Sequence, residues 1–93
     1  MDLPVNYRAL LPHERRAVRE KYVELQGGKC YFCQNDLSGP PTHKVKYTKV
    51  TTELYPEGFF DHPVHLHHDH NTDKTVGAVH ARCNAVLWEY YGE

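Results

Sequence analysis

Lys29-Cys30-Tyr31-Phe32-Cys33 and, far downstream, His80-Ala81-Arg82-Cys83-Asn84 are the two segments on which the fold turns. Each carries two ligand-type side chains separated by two residues, and all three cysteines of the sequence fall in them. Three thiolates and an imidazole complete a tetrahedral set of the kind structural zinc prefers, so Cys30, Cys33, His80 and Cys83 are read as one zinc site. Forty-six residues lie between Cys33 and His80. A shared ion would therefore tie the N-terminal knuckle to the C-terminal part of the chain.

Composition says why such a tie is needed. Ninety-three residues make a single domain, expected over 1–93, and a chain of this size buries only about 60–65% of its unfolded surface. The main apolar set is nine Val, eight Leu, three Phe and no Ile, about a fifth of the sequence. Zinc binding, worth about 10–16 kcal/mol in finger peptides, supplies what so thin a core cannot.

Several classes are excluded at this stage. No apolar run approaches the ~20 residues of a membrane span, so no membrane partner is expected. The opening Met1-Asp2-Leu3-Pro4 lacks the basic and apolar regions of a secretory signal. Three cysteines cannot close a disulfide framework, and the expected location is intracellular and reducing. A redox Cys-x-x-Cys would call for a βαβ context that the pattern lacks. A zinc deaminase needs a His-x-Glu and an open zinc position, and the sequence offers neither.

The local patterns place these motifs. Residues 11–26 read as a helix, with Pro12 in its first turn, Leu11, Val18, Tyr22 and Leu25 at helical spacing, and Gly27-Gly28 as its stop. Its Arg15, Arg16, Arg19 and Lys21 form either a solvated face or a phosphate-contacting one. Residues 36–41 are a loop. Residues 42–52, with Val45, Tyr47 and Val50 among Lys44, Lys46 and Lys49, read as a strand. Residues 63–67 and 75–79 read as two short strands joined by a turn at 71–74, and a helix closes the chain from about 81 to 91. The class is α+β.

Charge and histidine distribution point to a second centre. Net charge is −1, but residues 61–93 carry two Lys/Arg against five Asp/Glu, and six of the eight histidines fall between 61 and 80. An acidic, His-rich segment suggests a cation site. With zinc tying the hairpin to the last helix, His67, His68 and Asn84 can converge. An imidazole and an amide oxygen can hold a divalent cation while the neighbouring imidazole accepts a proton from water. One metal and one base suffice for phosphodiester hydrolysis. His13 and His43 read as solvent-exposed, His62 and His65 as strand-edge polar residues, and Arg82 as a salt-bridge or phosphate-contacting side chain. Trp88, Tyr90 and Tyr91 read as core and rim of the last helix, not as base-stacking platforms.

Residues 11–87 resemble the HNH, or ββα-metal (His-Me finger), endonucleases, most of all the recombination endonuclease VII type. The likeness rests on a helix followed by Gly-Lys-Cys-x-x-Cys at 28–33, His-His-Asp-His at 67–70, and a second zinc pair followed at once by Asn84. This chain has His67 where that group has Asp as first metal ligand, and His80 where it has a fourth cysteine. The resemblance implies a zinc-stapled nuclease domain with an N-terminal helix that cleaves or nicks DNA. His68 would be its general base, His67 and Asn84 the ligands of a catalytic divalent ion (Mg²⁺, Mn²⁺ or another transition metal), and His70 a phosphate- or metal-facing residue. It also implies 5′-phosphate and 3′-hydroxyl products, with a homodimer or two encounters needed to cut both strands. The alternative is a non-catalytic zinc-dependent DNA-binding module or nuclease subunit. DNA affinity is expected to come from the basic N-terminal face with Lys44, Lys46 and Lys49, because the pI of about 6.7 gives no overall basic footprint.

Overall fold

A computed structural model describes residues 2–92; Met1 and Glu93, the two ends of the expected domain, lie outside them. Helix α1 (Pro12–Leu25) starts where Pro12 sets the first turn and the Glu14 carboxylate accepts from the Leu11 N–H at 2.8 Å. Gly27 and Gly28, at φ 64° and 77°, end it in a region open to glycine. Val18 and Tyr22, a turn apart, are its buried residues.

Two antiparallel strands, β1 (Val64–His68) and β2 (Thr75–His80), form the sheet. Val64 pairs with His80 and His67 with Gly77, but His68 pairs with Thr75, so β2 carries an extra residue, Val76, at a bulge. The turn between the strands is built by Asp69, whose Oδ1 accepts from the N–H groups of Asn71 at 2.7 Å and Thr72 at 3.3 Å. Helix α3 (Ala81–Tyr91) follows β2 without a loop and turns Ala81, Cys83, Ala85, Val86 and Leu87 into the core.

Both ends of β2 are covered by non-strand segments. At one end the Thr75 N–H donates to Val5 O at 2.9 Å, the Val5 N–H to Thr75 Oγ1 at 3.0 Å, and the Tyr7 N–H to Asp73 O at 2.7 Å. At the other, the Gln26 amide brackets Ala78: Oε1 accepts from its N–H at 2.8 Å and Nε2 donates to its carbonyl at 2.9 Å. The Tyr31 N–H adds a second bond to that carbonyl, also 2.9 Å. Tyr22 reaches the same strand through its hydroxyl, 2.8 Å from Thr75 Oγ1.

The strand expected over 42–52 does not form. Its place holds one short helix, α2 (His43–Lys46), then an irregular run to a 3₁₀ turn at Thr52–Leu54. β2's outer edge is covered at both ends, and the segment bonds locally instead, as from the Tyr47 N–H to His43 O at 3.0 Å. Val45 and Val50 still enter the core. Arg82 is neither a surface salt bridge nor phosphate-facing: its Nε donates to Val45 O at 3.2 Å and Nη2 to Thr48 O at 2.7 Å, fastening this segment to α3. The other expected elements appear within a residue or so of their boundaries. Among the described residues no helix is long and apolar enough to cross a membrane.

Gly77 is the tightest point of this assembly. A Cβ there would lie 2.8 Å from Gln26 Oε1 and 3.0 Å from Tyr31 Cβ, between the knuckle and the strand it rests on. Gly77→Ala is therefore expected to destabilise the fold by about 1–3 kcal/mol, read as a lower midpoint in urea unfolding at unchanged slope. An unchanged midpoint would show that the knuckle yields freely.

Candidate functional site

The knuckle and the first turn of α3 meet at Cys30, Cys33, His80 and Cys83, whose ligand atoms all lie within 4.8 Å of one another. A tetrahedral zinc holds sulfur at about 2.3 Å and nitrogen at about 2.0–2.1 Å, which sets sulfur and nitrogen about 3.5 Å apart. Cys33 Sγ and Cys83 Sγ stand 3.4 and 3.6 Å from His80 Nδ1. His80 Nε2 donates to Asp36 O at 2.9 Å, leaving Nδ1 as the lone-pair nitrogen turned to the thiols. The Cys33 N–H points at Cys30 Sγ, 3.5 Å away, as a donor to a thiolate would. Cys30 and Cys83 are fully buried.

The thiols are strongly coupled. A hydrogen bond from Cys83 is the main cause that brings Cys30 down to about 4, and the same contact, with burial, pushes Cys83 upward. The four residues thus form a Cys3His group able to hold zinc.

The second centre lies on the other side of the same helix turn. Asn84 follows Cys83 directly, and its carboxamide is fixed from behind. His65 Nε2 donates to Phe59 O at 2.8 Å, so His65 Nδ1 accepts from Asn84 Nδ2 at 3.1 Å. That turns Asn84 Oδ1 to His67 Nδ1 at 3.0 Å. Burial lowers the pKa of His65 and keeps its ring in the neutral form this relay requires. Asn84 Oδ1 accepts from His67 Nδ1–H in this arrangement, so a cation taken up between the two would have to displace that proton.

His68, past the bulge, faces a different way. Its ring stacks on Tyr7, centroids 3.9 Å apart at 9°, and the Arg15 guanidinium sits 4.2 Å over the far face of that stack on Tyr7. His70 lies against it with ring centroids 4.6 Å apart. Burial, then the charges of His70 and His67, lower its pKa to about 4, so the ring is a neutral proton acceptor at pH 7. His68, His70, His65 and Asn84 open onto a groove of about 710 Å³ between α1 and the loop of residues 54–62. His67 is only 1% exposed and lies behind Asn84, outside the groove's lining.

Of the residues expected from sequence, the four cysteine and histidine ligands come together, and so do His67 with Asn84 and His68 with His70. The basic residues divide: Arg15 and Arg19 line the groove, whereas Lys44 borders a separate cavity beside Cys33 and Tyr90. His65 is not an idle strand-edge residue, for it orients Asn84; its position two before His67 on one strand, hence on the same face, was the available signal. Tyr7 carried no local signal. Trp88 is more than helix rim, since it borders the groove edge-on to His70, ring centroids 6.0 Å apart. No protein-family model, curated protein or solved structure matches this chain.

Chelation tests the first centre. Purified protein is expected to carry about one zinc, and Cys83→Ser to lose both the metal and cooperative unfolding. A cooperatively folded chain shown free of metal by elemental analysis would overturn the Cys3His assignment.

Proposed function

We propose that the chain is an HNH-type, metal-dependent DNA endonuclease, with zinc at Cys30, Cys33, His80 and Cys83 as its staple. The observation that carries this reading is the contact of His67 Nδ1 with Asn84 Oδ1 at 3.0 Å beside the stacked, neutral ring of His68. Asn84, in contact with His67, and the base His68 open to a groove with two arginines, and this supports hydrolysis of a phosphodiester better than simple binding. Their order along the chain also matches the resemblance carried by residues 28–33, 67–70 and 80–84.

A divalent cation held by His67 and Asn84 would stabilise charge on the phosphate and on the departing oxygen. The chain's own residues do the rest. His65 holds the Asn84 oxygen toward His67, and Tyr7 fixes the plane of His68. His68 removes a proton from the attacking water, whose oxygen bonds to phosphorus as the P–O bond to the leaving strand breaks. Arg15 and Arg19 hold the scissile phosphate from the α1 side. His70, exposed beside His68, is placed to meet a phosphate oxygen. One such centre per chain makes one nick per encounter, and cutting both strands takes a homodimer or two encounters.

Nicking of supercoiled plasmid with added Mn²⁺ or Mg²⁺, against a control chelated mildly enough to leave zinc in place, tests the proposal. His68→Ala should lower the nicking rate by about 10²–10⁴ with unfolding and zinc content unchanged. Asn84→Ala should raise the metal concentration required. Nicking by His68→Ala at the wild-type rate would leave only a DNA-binding module.

The pH dependence has a definite sign. The fold opposes protonation of His68, bringing it from its ordinary 6.5 to about 4. Both its base form and its share of stability are therefore complete above pH 6.5 and lost as the pH falls toward 4. The rising limb of the rate should lie below pH 6; a limb centred at 6.5 would mean that the base is an ordinary exposed imidazole.

A further inference from the structure

The groove beside His68 has two unlike walls. On α1, Arg15 and Arg19 share a face at i, i+4 spacing. The neighbouring cations are already paired on the helix itself, Arg16 with Glu20 at 3.3 Å and Lys21 with Glu24 at 3.6 Å. Among the described residues Arg15 and Arg19 have no carboxylate partner, and Arg15 Nε is buried without a hydrogen bond although its guanidinium is seated over Tyr7. Two arginines with donors to spare, facing a groove, fit phosphate oxygens.

The opposite wall is aromatic. Tyr55 stacks on Phe59 with centroids 4.6 Å apart and meets Trp88 edge-on at 6.1 Å. Tyr55 is anchored by its hydroxyl to Ala85 O at 3.0 Å, which fixes this wall to α3. Trp88 is 45% exposed, and its ring contacts with Tyr55 and His70 are at 67° and 76°, so no aromatic ring of the described residues lies parallel on the indole. A tryptophan held in place with no stacking partner inside a cleft is a platform for a flat ligand.

We infer that this groove takes an unpaired DNA strand, with its sugar–phosphate backbone along Arg15 and Arg19 and a base stacked on Trp88. The inference rests on the nuclease reading for the class of ligand, not for catalysis. A cationic wall facing an aromatic one is how strands are held without sequence preference. A duplex keeps its base faces inside the stack, so the indole stacks on a base only when that base has left its partner. Glu57 and Asp61, both exposed on the loop side, repel a second backbone there and leave the arginine wall as the only track for phosphate.

Trp88 is the only tryptophan in the sequence, so its fluorescence reports on this wall alone. The full-length, zinc-loaded chain is titrated, without added Mg²⁺ or Mn²⁺, with a short oligothymidylate and with a blunt duplex of equal length. Saturable quenching is expected with the single strand, at an affinity about tenfold or more above that for the duplex. The double variant Arg15→Gln with Arg19→Gln should weaken it on any sequence and flatten its salt dependence. Equal binding of both forms with unchanged fluorescence would overturn the inference, and so would undiminished quenching in the double variant. Plasmid nicking separates the two readings: a chain that nicks but shows no quenching loses this inference and keeps the nuclease reading.

Discussion

Cys30, Cys33, His80 and Cys83 bring two segments 47 positions apart to one point, and the rest of the molecule is arranged around that convergence. On one side the knuckle rests on β2 through the Tyr31 N–H and Ala78 O. On the other, His80 ends β2 and caps α3, so strand and helix leave the cluster in fixed directions. A core built on Val18, Val79, Val86 and Leu87 is too small to hold those directions alone. Pulling the three sulfurs apart would release the helix start and the hairpin end together.

The second centre inherits its geometry from the first. Asn84 is the residue after the last cysteine, so the helix turn that presents Cys83 to the thiol cluster presents Asn84 to β1. Strand pairing of Val64 with His80 then sets His65 and His67 opposite that turn. The bulge at Val76 lets His68 follow His67 while turning to the groove, where Tyr7 and His70 receive it. Two adjacent histidines thus take different faces and different neighbours. An unbroken ladder would have separated their faces as well, but without the local twist that carries His68 over to Tyr7.

What the sequence made legible follows from how local each cause is. The Cys-x-x-Cys and His-x-x-Cys spacings, the Gly27-Gly28 stop and the turn around Asp69 are local, and they were readable. The strand expected at 42–52 failed because β propensity describes a fit to a sheet, and here both ends of β2 were already covered, by Val5 and Tyr7 and by Gln26 and Tyr31. Tyr7 and Arg82 were invisible for the same reason. Their roles come from partners 61 and 34–37 residues away, fixed only when the N-terminal arm lies along the hairpin and α3 docks on residues 45–48. His65 is the intermediate case, signalled by strand alternation yet assigned only once Asn84 stands beside it.

Burying this many polar rings in a small domain is tolerable because they are satisfied in series. Phe59 O, His65, Asn84 and His67 form one directed chain whose three links each pair a donor with an acceptor, and a low-dielectric setting strengthens such a chain. The arrangement holds only while the imidazoles are neutral, since a protonated His65 could no longer accept from Asn84 and would turn its amide. Burial is what prevents that, for it is the largest cause lowering both His65 and His68, and the charges of Arg19 and of Arg8, itself paired with Asp73 at 2.9 Å, only add to it. The packing that buries these rings is therefore also what keeps them free of protons. Wetting His65 would let it protonate, turn the Asn84 amide and break the chain at its middle link.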